Sequence, residues 1–282
     1  MKRLSVFALG LSLLVAGCTA QFGYRFADTL IEWRLDDYVE LDDKQQQQVS
    51  SVIDELHLWH AQEELPKYRR SLTKLRELIV TQQFEQHHIA QFEQQLWDYW
   101  GNVQQRLASE ADLLSQLTVG QRRQLLDNLN EQLAERRQEQ RDDEKNAIVE
   151  QLERESRREE RLEQWTGSIT EEQQNIIRQW VQDRPEGSHW LAYRQRWNDA
   201  FGEVLLQQPI PSERLRQLII EPRALMSEQH RQYNDVRRSI RQDYLWQLYL
   251  SLTEQQREVL VEKADEYEQL LSDLIEYFNE LQ

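Results

Sequence analysis

The residues with the plainest chemistry stand at the front of the chain. Met1-Lys2-Arg3 is followed by an uncharged run from Leu4 to Ala16, and then by Gly17-Cys18. That order is the charged start, apolar middle and small-residue cleavage zone of an export signal. The run is too short to span a bilayer, which takes about 20 apolar residues. Val15-Ala16-Gly17-Cys18 further puts an apolar residue at −3, small residues at −2 and −1, and a thiol at +1. The expected chemistry is lipidation. The Cys18 sulfur attacks a lipid donor, residues 1–17 are removed, and the freed amine accepts a further acyl chain such as palmitate. One chain of myristoyl size anchors only marginally, at about 0.8 kcal/mol per buried CH₂, whereas two or three hold a protein on the membrane. Cys18 is the single cysteine, so the mature chain has no thiol for a disulfide, a zinc thiolate or nucleophilic catalysis.

Four further sets of residues have spacings that could support chemistry. His57, His60 and Glu64 fall at i, i+3 and i+7, on one helical face, and offer a metal two imidazoles and a carboxylate; the more economical reading is structural, beside Leu56 and Trp59. His87 and His88 are adjacent and diverge by about 100° on a helix. Asp36-Asp37 and Asp42-Asp43 invite a paired-carboxylate reading, for hydrolysis of an envelope polymer. Asp42, however, suits a helix cap, and no Gly-rich loop or serine elbow accompanies Asp36 or Asp37. Trp190, Tyr193, Trp197, Phe201, Val204 and Leu205 make an aromatic stripe at helical spacing, read as core, with a peptide- or lipid-binding groove as the alternative.

The elements that must position these groups are helices. Apolar residues step by three and four through Leu72, Leu75 and Ile79, and through Ile89, Phe92, Leu96, Tyr99, Val103 and Leu107. Eight glycines and five prolines in 282 residues are few for a loop-rich β architecture, so the spacing predicts an all-α, elongated multi-helix bundle. Four segments begin alike, at Leu41-Asp42-Asp43-Lys44-Gln45, Leu117-Thr118-Val119-Gly120-Gln121, Ile169-Thr170-Glu171-Glu172-Gln173 and Leu252-Thr253-Glu254-Gln255-Gln256. Asp or Thr at the N-cap with Gln at N3 is a capping box. The apolar residues before the caps are matched eight positions on by Val49, Leu125, Ile177 and Leu260, which are expected to face one core.

Expected helices run from about Tyr24 to Leu35, from Asp42 with an interruption near Pro66, from Glu85 to Ser115, from Thr118 toward Trp165, from about Ser212, from Pro222 to Leu250 and from Thr253 to Leu281. The Thr118 helix carries no apolar residue between Ala134 and Ala147 and includes the mixed-charge run Arg136 to Lys145, the mark of a solvated helix. Breaks fall at 183–188 and 208–212. Residues 18–282 are read as a single helical domain behind a signal peptide of residues 1–17.

The formal net charge is −16, and loss of Lys2 and Arg3 with the signal leaves the body two charges more negative. Such a polyanion argues against nucleic-acid binding and against docking on anionic head groups. Thr19, where an Asp would mark inner-membrane retention, is similar to the outer-membrane address of enteric lipoproteins.

Trp33 to Leu41, Trp59-His60 and Glu64-Leu65-Pro66-Lys67-Tyr68 together resemble a family of proteobacterial lipoproteins, the domain-of-unknown-function family 6279. The resemblance implies that Trp33, Asp36, Asp37, Tyr38, Trp59, His60, Glu64 and Pro66 form a characteristic cluster. The Leu-Thr-x-x-Gln starts are also similar to those of Spy-type periplasmic stress chaperones. The expected protein is therefore a non-enzymatic, cofactor-free envelope lipoprotein, anchored in the outer membrane, facing the periplasm and binding other envelope proteins in a chaperone-like manner. A metal sensor or buffer using His57, His60 and Glu64 is the alternative, and a hydrolase acting through Asp36 or Asp37 ranks last.

Overall fold

The computed structural model describes residues 21–185, 187 and 189–280, without the side chains of 143 and 144. The export signal and Cys18 lie outside the described residues. Among those described, the regular structure is entirely helical, as the apolar spacing requires. The chain divides into two compact units, one built from 21–37, 42–84 and 261–280, the other from 38–41 and 85–260.

In unit 1, residues 21–25 are helical and lead into α1 (Ala27–Asp36). Next come α2 (Asp43–Trp59), a π-helical segment (His60–Glu64) and α3 (Leu65–Val80). The unit closes with all but the first turns of α11 (Glu254–Glu280). Ala61, Leu65, Leu274 and Phe278 form its buried apolar cluster, with Tyr24, Leu58, Tyr68 and Ile275 packed around them. The interruption expected near Pro66 takes a specific form. Proline has no N–H to continue the i→i−4 ladder and crowds the carbonyl four residues back. The helix meets this by widening: the Leu65 N–H bonds to the His60 carbonyl, five residues back, and Pro66 then occupies the first turn of α3. A π turn takes up one extra residue, so Tyr68, eight positions after His60, lies about where i+7 falls on an unbroken helix, on His60's own face.

Unit 2 holds α4 (Gln86–Ser109), a 3₁₀ turn (Ala111–Gln116), α5 (Val119–Lys145), α6 (Ala147–Thr166), α7 (Glu171–Gln182), α8 (Trp190–Leu205) and α9 (Ser212–Ile220). A second 3₁₀ turn (Pro222–Leu225), α10 (Glu228–Leu250) and the start of α11 complete it. Its apolar core gathers Ala111 and Leu126 with Phe201, Val204, Leu205, Ile210 and Leu215, under Leu125, Leu129 and Trp197. The helix expected to run unbroken from Thr118 toward Trp165 is two helices, parted at Asn146 (φ −113°, ψ 36°). No apolar side chain between Ala134 and Ala147 is available to pack this stretch. The Asn146 side chain instead donates to the Asp142 carbonyl at 3.1 Å, a local bond of the kind that competes with the helix ladder.

All four expected capping boxes are present. Asp42 accepts from the Gln45 N–H at 2.9 Å while the Gln45 side chain accepts from the Asp42 N–H at 3.0 Å. Thr118 with Gln121, Thr170 with Gln173 and Thr253 with Gln256 repeat the exchange. The residues eight positions on from the apolar leads do not share one core, since Val49 belongs to unit 1 and Leu125, Ile177 and Leu260 to unit 2.

In the last two boxes the N3 glutamines are fully buried and meet each other. Gln173 Nε2 donates to Gln256 Oε1 at 2.8 Å, and Gln256 Nε2 donates back to Gln173 Oε1 at 2.9 Å. The remaining amide protons go to the carbonyls of Ser251 and Ser168, each two residues before the opposite cap. Every donor and acceptor of the two amides is thereby used, which buried polar groups require. Gln121 makes a matching reach to the carbonyl of Glu40, two residues before the Asp42 cap, at 2.8 Å.

Candidate functional site

The densest polar constellation in unit 1 is built on the π segment. His60 Nδ1 lies 2.7 Å from Tyr24 Oη, and its Nε2 lies 3.1 Å from Tyr68 Oη. A neutral imidazole has one N–H donor and one bare acceptor nitrogen, so one tyrosine donates to the ring and the other accepts from it. Burial holds the His60 pKa below its ordinary value, against the opposing pull of the Glu64 carboxylate. Burial likewise raises the Tyr24 hydroxyl, with Tyr68 adding to the rise. Both shifts favour the neutral forms of His60 and Tyr24 around neutral pH. Glu64 is fully buried one π turn on, and Lys67 Nζ meets its Oε1 at 2.6 Å. His57 is buried against Phe278 (ring centroids 4.7 Å), and its Nδ1 stands 3.7 Å from Asp28 Oδ2.

This arrangement separates the three residues with metal-ligand spacing. His60 spends both nitrogens on tyrosines, Glu64 pairs with Lys67, and His57 faces Asp28. Among the described residues no group of three or more His, Cys, Asp or Glu side chains is placed to hold a metal ion. His87 and His88 lie closer than their helical divergence implies, with ring centroids 4.0 Å apart. The reason is local: His88 turns back so that its Nδ1 accepts the Glu85 N–H at 2.9 Å, closing a cap.

The residues expected to cluster are only partly brought together. Trp59 stands beside His60, with centroids 6.4 Å apart, and Glu64 and Pro66 follow on the same segment. Trp33, Asp36 and Asp37 lie exposed at the end of α1, where Asp37 pairs with Arg34 at 2.6 Å. Tyr38 belongs to unit 2, and its hydroxyl donates to Gln132 Oε1 at 2.7 Å. Tyr24 and Tyr68 complete the His60 site, and neither belongs to the expected cluster. Tyr68 carried a signal, eight positions from His60; Tyr24, 36 positions away, carried none that periodicity can read.

The aromatic stripe of α8 is mostly core. Tyr193, Phe201, Val204 and Leu205 are buried. Trp197 stacks on Phe201 at 4.9 Å, and its indole N–H donates to the Leu218 carbonyl at 3.2 Å. Trp190 alone is exposed. The mixed-charge stretch is solvated as expected, with i,i+3 and i,i+4 pairs such as Arg136–Glu139 at 2.9 Å and Arg157–Glu153 at 3.1 Å. Just past the Asn146 break, Ile148, Val149 and Leu152 point outward. Nothing in the charge pattern announces that apolar tip.

Comparison with known proteins places the chain. Residues 37–231 match the model of a family described as a family of unknown function, DUF6279. The chain belongs to that family. The matched span covers most of the chain, including the Trp59 to Pro66 stretch, and begins after Trp33 and Asp36. No curated protein and no solved structure matches it significantly.

Proposed function

We propose that this member of DUF6279 is a non-enzymatic envelope lipoprotein, held in the outer membrane by acyl chains on Cys18, that binds other envelope proteins in a chaperone-like way. The observation that carries the binding reading is the apolar tip at the α5–α6 break. Ile148 is 78% exposed, Val149 55% and Leu152 60%. Three adjacent large aliphatic side chains in water are a standing cost that contact with apolar surface on a partner removes. The charged residues around them supply a solvated rim of both signs, a common frame for a transient interface. The tether adds a further contribution, since confinement at the membrane raises the effective concentration of the tip near its targets and lets weak contacts count.

A photo-crosslinking amino acid placed at 148 or 152 in living cells is expected to give a discrete adduct with an envelope protein, and the same group at Gln138 is not. Leu152→Glu should abolish the adduct. The lipid-free body should also slow aggregation of an unfolded client protein. Silence in both assays would sink the binding reading.

A further inference from the structure

A second exposed apolar surface lies at the other end of the chain's order, directly behind the expected lipid anchor. Phe22, Phe26, Leu30 and Trp33 are 65%, 49%, 51% and 68% exposed. Their spacing of four, four and three places them along one side of a helix. Helical bonding is carried across the junction before α1, with the Phe26 N–H reaching the Phe22 carbonyl and the Leu30 N–H the Phe26 carbonyl. The two phenyl rings sit 4.9 Å apart.

The opposite side of the same stretch is committed to unit 1. Tyr24 packs edge-on against Phe278 at 5.8 Å and bonds to His60. The Arg25 guanidinium lies 4.0 Å over the Tyr277 ring, and Asp28 faces His57. The stripe is therefore fixed to the unit's body on one side and bare on the other.

We infer that the Phe22–Phe26–Leu30–Trp33 face lies on the bilayer surface and seats unit 1 against the membrane. The inference rests on the reading of Cys18 as the lipidated residue. Chain length then decides the occupant. Three residues, Thr19, Ala20 and Gln21, separate Cys18 from Phe22, and the four residue steps reach only about 14 Å even fully extended. The start of the stripe is thus confined to the head-group region whatever else is in solution, a constant proximity that a soluble partner does not have and that a second copy, anchored in the same membrane but free to diffuse along it, has only on encounter. The composition fits as well. Phenylalanine, leucine and tryptophan are the side chains that amphipathic surface helices sink to the head-group and acyl boundary, and tryptophan favours that boundary itself. The two arginines of the stretch are engaged elsewhere, Arg25 over the Tyr277 ring and Arg34 with Asp37, so the contact is apolar and suits a zwitterionic surface, in keeping with the acidic body.

Acylated Cys18 carries its sulfur as a thioether, and the chain has no other cysteine, so one introduced cysteine is the only free thiol of the mature lipoprotein. Phe26→Cys, Leu30→Cys and Gln138→Cys would each be labelled with an environment-sensitive fluorophore. The lipoproteins would then be reconstituted into phosphatidylcholine vesicles containing lipid brominated on the acyl chains. Blue-shifted emission at 26 and 30, quenched several-fold more strongly than at 138, is the expected result. Equal quenching at all three sites overturns the bilayer contact. Blue-shifted emission that brominated lipid does not quench also overturns it, and assigns the face to a second copy or another protein. The mass of the N-terminal peptide separates the two layers of the argument. An acylated Cys18 with unquenched labels removes the surface contact and leaves the anchor, whereas an unacylated Cys18 removes both.

Discussion

Units 1 and 2 both bury polar side chains, and their best-connected buried clusters are of different kinds. Unit 1 buries groups that ionise: the Tyr24–His60–Tyr68 bridge and the Glu64 carboxylate beside Lys67, all set around a π turn. At its best-connected point unit 2 buries two neutral amides, Gln173 and Gln256, which satisfy one another and four backbone groups. A neutral pair answers to geometry alone. An ionisable cluster answers to geometry and to pH, and losing Lys67 takes a countercharge from the buried Glu64 carboxylate. The two regions should therefore fail differently, and hydrogen exchange read peptide by peptide can locate each failure in its own unit.

The largest effect is expected from Lys67→Met. Glu64 is fully buried and Lys67 is partly exposed, so the variant leaves the carboxylate without its ammonium partner. Breaking a buried ion pair from one side typically costs about 3 kcal/mol or more. Exchange should accelerate through the π segment and α3 while α7 and α10 keep their protection. Unchanged protection in unit 1 would show that the pair contributes nothing there.

Gln173→Leu should come next, at about 2 to 3 kcal/mol, combining a weakened N-cap with loss of two amide bonds to Gln256. Gln256→Leu should cost about the same, and the double variant less than the sum, because a stranded partner no longer exists. Additive losses in denaturant titrations would mean that the two amides act separately. These changes should show no pH dependence of their own, since neither amide titrates between pH 5 and 8.

His60→Leu tests the other half of the contrast, with an expected cost of about 1 to 2 kcal/mol from two tyrosine hydroxyls losing a partner. The pH signature is more telling. The folded-state pKa of His60 lies below its ordinary value of 6.5, so as the pH falls the unfolded chain takes up a proton before the folded one does. The stability this contributes is complete above pH 6.5 and drains away as the pH drops through the lowered folded value. His60→Leu should flatten the acid side of the unit 1 stability profile. His230, whose pKa burial and His189 also lower, should keep that of unit 2 sloping. A profile in unit 1 that stays as steep without the imidazole would refute the assignment.

What could be read from residue order alone was what is local. A cap at N and a glutamine at N3 lie within one turn, and all four such starts formed as expected. That Gln173 and Gln256 would then face each other, 83 positions apart, is a fact of packing that no window contains. Pro66 signalled a disturbance, but whether a helix breaks or widens depends on what its continuation buries, and Leu65 and Tyr68 hold it to the Phe278 cluster. The aromatic stripe read as core was right for Tyr193, Phe201, Val204 and Leu205 and failed at Trp190, the first residue of α8. The stretch without apolar residues is solvated, as its composition predicts, yet the break at Asn146 and the exposed Ile148, Val149 and Leu152 depend on where packing stops. Of the His60 site, the histidine and Glu64 were legible as a spacing. Lys67 and Tyr68 stand within a few turns of them, but Tyr24, 36 positions away, and with it the bridging role of His60, does not.

The smallest effect should belong to Arg136→Ala. Arg136 and Glu139 repeat the three-residue spacing and near-ideal distance of Glu64 and Lys67, at 2.9 Å against 2.6 Å, but both side chains stand in water. An exposed pair gains little Coulomb energy, gives up side-chain freedom and is screened by salt, so the expected loss is under about 0.5 kcal/mol and should vanish in high salt. Measured beside Lys67→Met, this variant holds sequence separation and pair geometry nearly constant and changes the surroundings. If Arg136→Ala proved as costly as the buried substitution, burial would not be what distinguishes the two, and the contrast drawn between an ionisable interior and a solvated helix would have to be replaced by one based on helix position.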